Sequence, residues 1–327
     1  MRAGNMSGDA FRHEALFYSG ESDFLLGTLP FIRQGLERRE AVLVVESVEK
    51  IALLRRELGE DEALVMFADM AGVGANPARI VPAWRDFVEE HGRGGAGLRG
   101  IGEPIWASRP SDELAECQRH ESLLNVAFAG GRPWRLLCPY DTSQLSRDVI
   151  DEARRSHAFV VERHVELPSP HFRGAAASGG AFDGPLSPPP EGAATLTFDA
   201  SSLGDVRRAV AGIGVAAGMD VERLADLVTA VNEVATNSVR HGGGSGTLLV
   251  WQDSRSVLCE VRDRGRYAEP LADRRRPLST REPSGLWLAN RLCDLVQIRT
   301  YPTGTVVRLI VRHEPRQPAA GWSWAVS

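Results

Sequence analysis

Between Pro168 and Glu191 the chain changes character. Gly, Ala, Ser and Pro dominate there, and the stretch runs through Ser187-Pro188-Pro189-Pro190. Such a segment buries little, is flexible at first and stiffens where the prolines adjoin. It divides 327 residues into two pieces that are each long enough for a core, which argues against one continuous core. The reading is a first domain over 11–166, a linker over 167–193, a second domain over 194–314 and a loose tail over 315–327. The small polar residues before position 11 are expected to fray.

The first piece alternates. Ala15-Leu16-Phe17-Tyr18 and Ala41-Val42-Leu43-Val44-Val45 read as buried strands, as do Ala63 to Phe67, Leu98 to Gly102 and Trp134 to Cys138. Helices are expected between them: Phe24 to Leu36, interrupted or kinked near Pro30, Val48 to Leu58, one after Pro77, Asp112 to Phe128, and one through Ile150 and Phe159. Unbroken apolar strands separated by helices imply a parallel sheet covered on both faces. Ligands of such sheets sit at the carboxyl ends of the strands. Those ends carry Ser19-Gly20-Glu21, Glu46, Asp69, Glu103 with Trp106, and Tyr140-Asp141. Either they form a polar sensing pocket, or they are helix caps and solvated loop ends. His13, just before the first strand, reads as a surface histidine or a ligand.

Composition removes several classes. Net charge is −5, which argues against nucleic acid as a direct partner. Lys50 is the only lysine, and no glycine loop precedes it. A Walker A phosphate loop and the glycine loop of eukaryotic-type protein kinases are therefore both excluded. Cys117, Cys138, Cys259 and Cys293 form no C-x-x-C pair. They read as reduced core thiols of a cytoplasmic protein, not as a disulfide frame or a zinc site. No apolar run reaches the roughly 18 residues that cross a membrane.

The second piece is organised around Leu224 to His241. Leu224, Leu227, Val228, Val231, Ala235 and Val239 recur at helical spacing and mark one face as apolar. Ala230, Glu233, Asn237 and His241 fall on another face, and three glycines follow. A carboxylate and a carboxamide one turn apart can share a metal ion and a water: the amide oxygen ligates Mg²⁺ and the carboxylate takes a proton. Taken alone, the same pair is an ordinary solvated face. Before this helix, Ser202-Leu203-Gly204-Asp205 reads as a capping box. Val257, Cys259, Val261 and Asp263 alternate along a strand whose other face carries Leu258, Glu260 and Arg262. Asp263 at the end of the core face needs a donor, which an adenine amino group would supply, with the ring over Gly265. An ordinary turn made by Asp263 is the plainer alternative. Arg266 to Ser284 reads as a lid, with Arg274, Arg275 and Arg276 able to pair with phosphate. Gly285-Leu286 then opens a helix whose N–H groups can meet an anion. A hairpin from Leu295 to Val311 closes the domain.

Two resemblances follow from these stretches. His13-Glu14-Ala15-Leu16-Phe17-Tyr18, the Ala41 to Val45 strand, Arg99-Gly100-Ile101-Gly102-Glu103 and Leu136-Leu137-Cys138-Pro139-Tyr140-Asp141 resemble the MEDS family of sensory domains. That resemblance implies a RecA-like parallel-sheet α/β fold without a P-loop, proposed to sense small molecules. Glu233-x-x-x-Asn237, Asp263-x-Gly265 and Gly285-Leu286 together resemble the N, G1 and G2 boxes of the GHKL ATPase superfamily. Val261 to Arg266, followed by Gly285 to Arg299, looks like the anti-sigma-factor branch, regulatory serine/threonine kinases. This implies a Bergerat-type α/β sandwich with a mixed, mostly antiparallel sheet.

The second resemblance implies ATP and Mg²⁺ as cofactors. Asn237 would ligate Mg²⁺, and Glu233 would be the catalytic base or would orient the acceptor. Asp263 would bind the adenine amino group, with Gly265 beside the ring. Gly285, followed by Leu286, would approach the phosphates, and His241 stands where the family keeps a polar or basic residue. Tyr267 replaces the second G1 glycine and Pro283 the first G2 glycine; both weaken the phosphate side. The expected protein is a cytoplasmic regulator of transcription. Its partners would be a sigma factor, an anti-anti-sigma antagonist or both, with a small-molecule signal at the first domain, no membrane, and a homodimer as one assembly open to it. The alternatives are a nucleotide-binding interaction module without kinase activity, and a sensor histidine kinase using His157 or His164, which lacks the expected dimerisation helices.

Overall fold

The computed structural model describes residues 11–95, 97–163, 165–174, 184–269, 271–276 and 285–313. The chain forms two compact units divided at Phe182 and Asp183. Pro283, Ser284 and His164, named above, and the tail tryptophans Trp322 and Trp324 lie outside the described residues.

The first unit is built on a seven-stranded sheet, in the order β3-β2-β4-β5-β1-β6-β7. Its strands are β1 (Arg12–Tyr18), β2 (Ala41–Glu46), β3 (Met66–Asp69), β4 (Leu98–Gly102), β5 (Arg135–Asp141), β6 (Phe159–Glu162) and β7 (Val165–Pro168). All pairings are parallel except the β6–β7 hairpin. Alternate residues of each strand enter opposite cores. Ala15, Phe17, Leu43, Val45, Leu136 and Cys138 join the core that also holds Trp84, Phe87, Leu124 and Phe128. Those four come from α4 (Ile80–His91), α5 (Ser111–Ala127) and the residue after it. Leu16, Tyr18, Val42, Val44 and Leu137 enter the other, under α1 (Gly20–Glu37) and α2 (Val48–Leu58). Short α3 (Met70–Val73) follows β3, and α6 (Arg147–Ser156) precedes β6.

Three local expectations are corrected. Pro30 lies inside a helix that continues to Glu37. It sits on the exposed side, where the carbonyl that loses its N–H partner can turn to water. The strand read over Ala63 to Phe67 begins later, because Gly59–Leu64 is a 3₁₀ turn. The helix read through Ile150 and Phe159 ends at Ser156, and Phe159 opens β6.

The second unit is a five-stranded sheet in the order β11-β12-β10-β9-β8, with all neighbouring strands antiparallel. The strands are β8 (Ala194–Asp199), β9 (Ser245–Gln252), β10 (Ser256–Asp263), β11 (Leu295–Tyr301) and β12 (Gly304–Arg312). Helices α7 (Leu203–Ala216), α8 (Val221–His241) and α9 (Gly285–Leu292) pack with one face of it. Val206, Leu227, Ala230, Val231 and Val234 meet Leu248, Val257, Cys259, Val261 and Leu309 there. Ala230, placed with the polar face above, is fully buried, whereas Val228 and Val239 are only partly covered. The capping box is absent: Ser202 makes no cap bond and its hydroxyl instead accepts from Asp199 N at 2.8 Å.

The other face of β10 is also covered, contrary to its polar pattern. Leu258 packs with Leu295, Ile310 and Trp251. Glu260 is 1% exposed and accepts from Arg308 Nε at 2.8 Å. Arg308 also donates to the carbonyl of Ser187 at 2.6 Å, and Arg299 to that of Gly184 at 3.2 Å. Part of the segment read as linker is thus bonded to this sheet. Among the described residues no helix is long and apolar enough to cross a membrane.

Candidate functional site

Helix α8 positions the second unit's site. Asp220 caps it, accepting from Glu222 N at 2.8 Å and Arg223 N at 3.4 Å. Its buried stripe then fixes its rotation, leaving Glu233 and Asn237 half-buried side by side one turn apart. Gly285, the first residue of α9, is laid directly on them. A Cβ added there would stand 2.7 Å from Asn237 Nδ2 and 3.3 Å from Glu233 Oε2. Only a glycine lets this helix start come so close. Leu286, next along, is a half-buried neighbour of the core.

A second group forms beside the C-terminal end of α8. Asp263 Oδ2 accepts from Ser238 Oγ at 2.6 Å, and Oδ1 from Gly265 N at 2.7 Å. The latter is the turn bond considered above. A Cβ on Gly242 would lie 2.5 Å from the Asp263 carboxyl carbon, and one on Gly265 would lie 2.8 Å from the His241 carbonyl. His241 itself is exposed. Glu233, Asn237 and Gly285 therefore form one group, and Asp263 and Gly265 another, at successive positions along one helix. Ser238 escaped sequence reasoning, because its pairing with Asp263 depends on how β10 lies against α8.

The described part of the stretch read as a lid is pinned. Tyr267 Oη donates to Asp273 Oδ1 at 2.7 Å, and Asn290 Nδ2 donates to Asp273 Oδ2 at 3.1 Å. Burial, then Asp273, raises the Tyr267 phenol well above its usual range. Arg274 is buried beside Asp273, its Nε 3.8 Å from the carboxylate, and Arg275 pairs with Glu269 at 2.7 Å. Of the three arginines proposed to meet phosphate, Arg275 and Arg276 are exposed.

In the first unit the carboxyl ends of the strands enclose a cavity of about 400 Å³ whose lining includes Tyr18, Glu46, Lys50, Glu103, Trp106 and the acids Asp69 and Asp141. Asp69 caps α3 through Ala71 N, and Asp141 holds its own loop through Ser143 and Gln144. Those two are the cap and loop acids that a plain reading expected. Glu46 and Glu103 differ: both are buried. Tyr18 Oη donates to Glu103 Oε1 at 3.0 Å, and Lys50 Nζ bonds to both that carboxylate and Tyr18 Oη. Burial, then the Glu103 charge, pushes the Glu46 carboxyl well above the usual carboxylate range. Tyr140 does not join Asp141 in the cavity; strand alternation turns it into the core, edge-on to His157.

His13 is no surface residue. It is 1% exposed and lies against His157, itself fully buried. A buried His157 with this packing is not presented as a phosphoacceptor would be.

Residues 12–158 match the model of the MEthanogen/methylotroph, DcmR Sensory domain, and residues 196–311 that of the histidine kinase-like ATPase domain. No curated protein matches the chain. Among solved structures, the RsbU and RsbW domains of a Mycobacterium tuberculosis protein are similar at 20% identity and a TM-score of 0.28. That similarity covers 36% of this chain and 32% of the other, so the chain spans about a third of its relative's length. The two family matches lie one in each structural unit, and the chain accordingly joins a MEDS sensory domain to a histidine kinase-like ATPase domain.

Proposed function

We propose that this protein is a signalling regulator in which the first domain takes up a small-molecule signal and the second binds Mg·ATP and phosphorylates a serine or threonine of a protein antagonist in a sigma-factor circuit. The observation that carries the reading is the close set of Glu233, Asn237 and Gly285, one turn from the Asp263–Ser238–Gly265 group on the same helix. Both groups have the character of a cradle: a Cβ at Gly285 or Gly265 would fill the space beside the polar atoms. ATP bound with Mg²⁺ would supply the transferable γ-phosphoryl group and the charge neutralisation that its transfer requires.

The protein's own residues divide the remaining work. Asp263, held by Ser238 and Gly265, keeps a fixed carboxylate for an exocyclic amine. Asn237 offers its amide oxygen to the cation. Glu233 would accept the proton of the acceptor's hydroxyl. Gly285 gives N–H groups close approach at the start of α9. The cavity beside Glu46, Glu103 and Lys50 is the place for the signal, and sequestration of a sigma factor is the output if transfer is slow. Tyr267, whose hydroxyl is committed to Asp273, favours the second reading of a binding module without turnover.

The test uses the full chain. Mg·ATP should raise its melting temperature through ligand linkage, and Asp263→Asn and Gly285→Ala should each abolish the rise. Equal shifts in wild type and both variants would remove the site. Label from γ-³²P-ATP appearing on serine or threonine of an added antagonist supports kinase activity; binding with no label supports the interaction module.

A further inference from the structure

Four side chains from separate stretches of the first unit converge at one buried point. They are His13 on β1, Glu121 on α5, Cys138 on β5 and His157 between α6 and β6. Each is at most 1% exposed. Their ligand atoms all lie within 4.8 Å of one another. His13 Nε2 is 3.1 Å from Glu121 Oε2 and 3.4 Å from Cys138 Sγ, and His157 Nε2 is 3.2 Å from the same Glu121 oxygen.

The outer ring nitrogens fix where the protons are. Asn125 Nδ2 donates to the Ser156 carbonyl at 2.7 Å, so the atom facing His13 Nδ1 at 3.3 Å is the amide oxygen. His157 Nδ1 is 2.8 Å from the Ala153 carbonyl. Both Nδ1 atoms thus face acceptors and carry the ring hydrogens, which leaves lone pairs on both Nε2 atoms. Those two lone pairs and a carboxylate oxygen are directed at one another, and the Cys138 thiol hydrogen can bridge only one of the gaps. Buried acceptors without donors are costly. Paired outer N–H bonds of this kind are also what orients histidines as metal ligands.

The spacing agrees with a cation at the centre. Bonds of about 2.0–2.3 Å to nitrogen, oxygen and sulfur put neighbouring donors of a tetrahedron about 3.3–3.8 Å apart. Three of the six separations, at 3.1 to 3.4 Å, fall at or just below that range, and all six lie within 4.8 Å. A thiolate and a carboxylate together neutralise a divalent ion, which removes the penalty of burying a net charge. Imidazole, thiolate and carboxylate in a closed set of four favour zinc, a d¹⁰ ion content with four protein ligands.

We propose that His13, Glu121, Cys138 and His157 form a closed, structural zinc site that ties α5 and the α6–β6 turn to the central strands of the sensory domain. On binding, the Cys138 sulfur–hydrogen bond gives way to a sulfur–metal bond and the proton passes to solvent; no oxidation change is involved. The site is separate from the cavity at the carboxyl ends of the strands, and it does not rest on the ATP reading.

The experiment loads the full chain, stripped of metal by chelator, with Zn²⁺ or Co²⁺. The expected result is one ion per chain, a thiolate-to-cobalt charge-transfer band, and a rise in melting temperature that EDTA reverses. Cys138→Ser should lose the band and the rise, while Cys117→Ser keeps both. X-ray absorption of the zinc-loaded wild type should give one sulfur and three nitrogen or oxygen neighbours, a reading that stands even if Cys138→Ser does not fold. No retained metal, a first shell without sulfur, or a band that persists in Cys138→Ser overturns the proposal.

Discussion

Glu46 shows what a single carboxyl can impose. Burial and then Glu103 hold it well above the usual carboxylate range. In the unfolded chain it ionises in the ordinary range near 4.3. Between those two values the folded state keeps a proton that the unfolded state has lost, so stability falls as pH rises. Glu46→Gln should therefore raise the melting temperature of the sensory domain, and by more near pH 8 than near pH 5; an equal shift at both would show that Glu46 is charged in the fold. Residue-level reading of the sequence succeeded where a pattern is local. Glu233 with Asn237, and Asp263 with Gly265, sit a turn or a bend apart and meet as spacing implies. It failed where partners are distant. Ser238 and Asp263 are 25 positions apart, and His13 reaches Glu121 across 108, separations that no ligand-spacing motif encodes.

At the scale of elements, the seam that holds α8, α9, β11 and β12 together is ionic. Arg223 is buried at the start of α8, bonds to Asp294 just after α9, and donates to the Leu292 carbonyl at 3.3 Å. The same Asp294 oxygen accepts from Arg312 N on β12 at 2.7 Å. Burial, then the opposing bond from Arg312, leaves the Asp294 carboxyl above its usual range. Removing one partner strands the other charge, so Arg223→Ala should cost about 3 kcal/mol of ATPase-domain stability, measured by urea unfolding. A loss indistinguishable from that of an exposed arginine such as Arg207 would show that the seam is held by packing alone. Periodicity found most elements, among them α2, β4 and the β11–β12 hairpin. It misjudged the second face of β10, because Leu258 packs with Leu295, Ile310 and Trp251 and Glu260 is bonded by Arg308, and cover contributed from elsewhere leaves no mark on a strand's own alternation.

Across the whole molecule, the change in composition near Pro168 announced two units, and each has its own apolar core. Independent cores imply independent melting. Calorimetry of the full chain should resolve two transitions, with zinc raising only the one assigned to the MEDS domain and Mg·ATP only the other. A single transition moved by both ligands would mean that the domains unfold as one. The parallel sheet was readable because strands buried on both faces are apolar throughout, whereas the cavity's chemistry depends on Tyr18 and Lys50 arriving from different elements. That lysine has a practical consequence. As the sole ε-amino group of the protein, standing partly open at the cavity with its charge engaged by Glu103, it offers acylating reagents one side-chain target. Occupancy of the cavity would then be legible as the rate at which a single peptide gains mass.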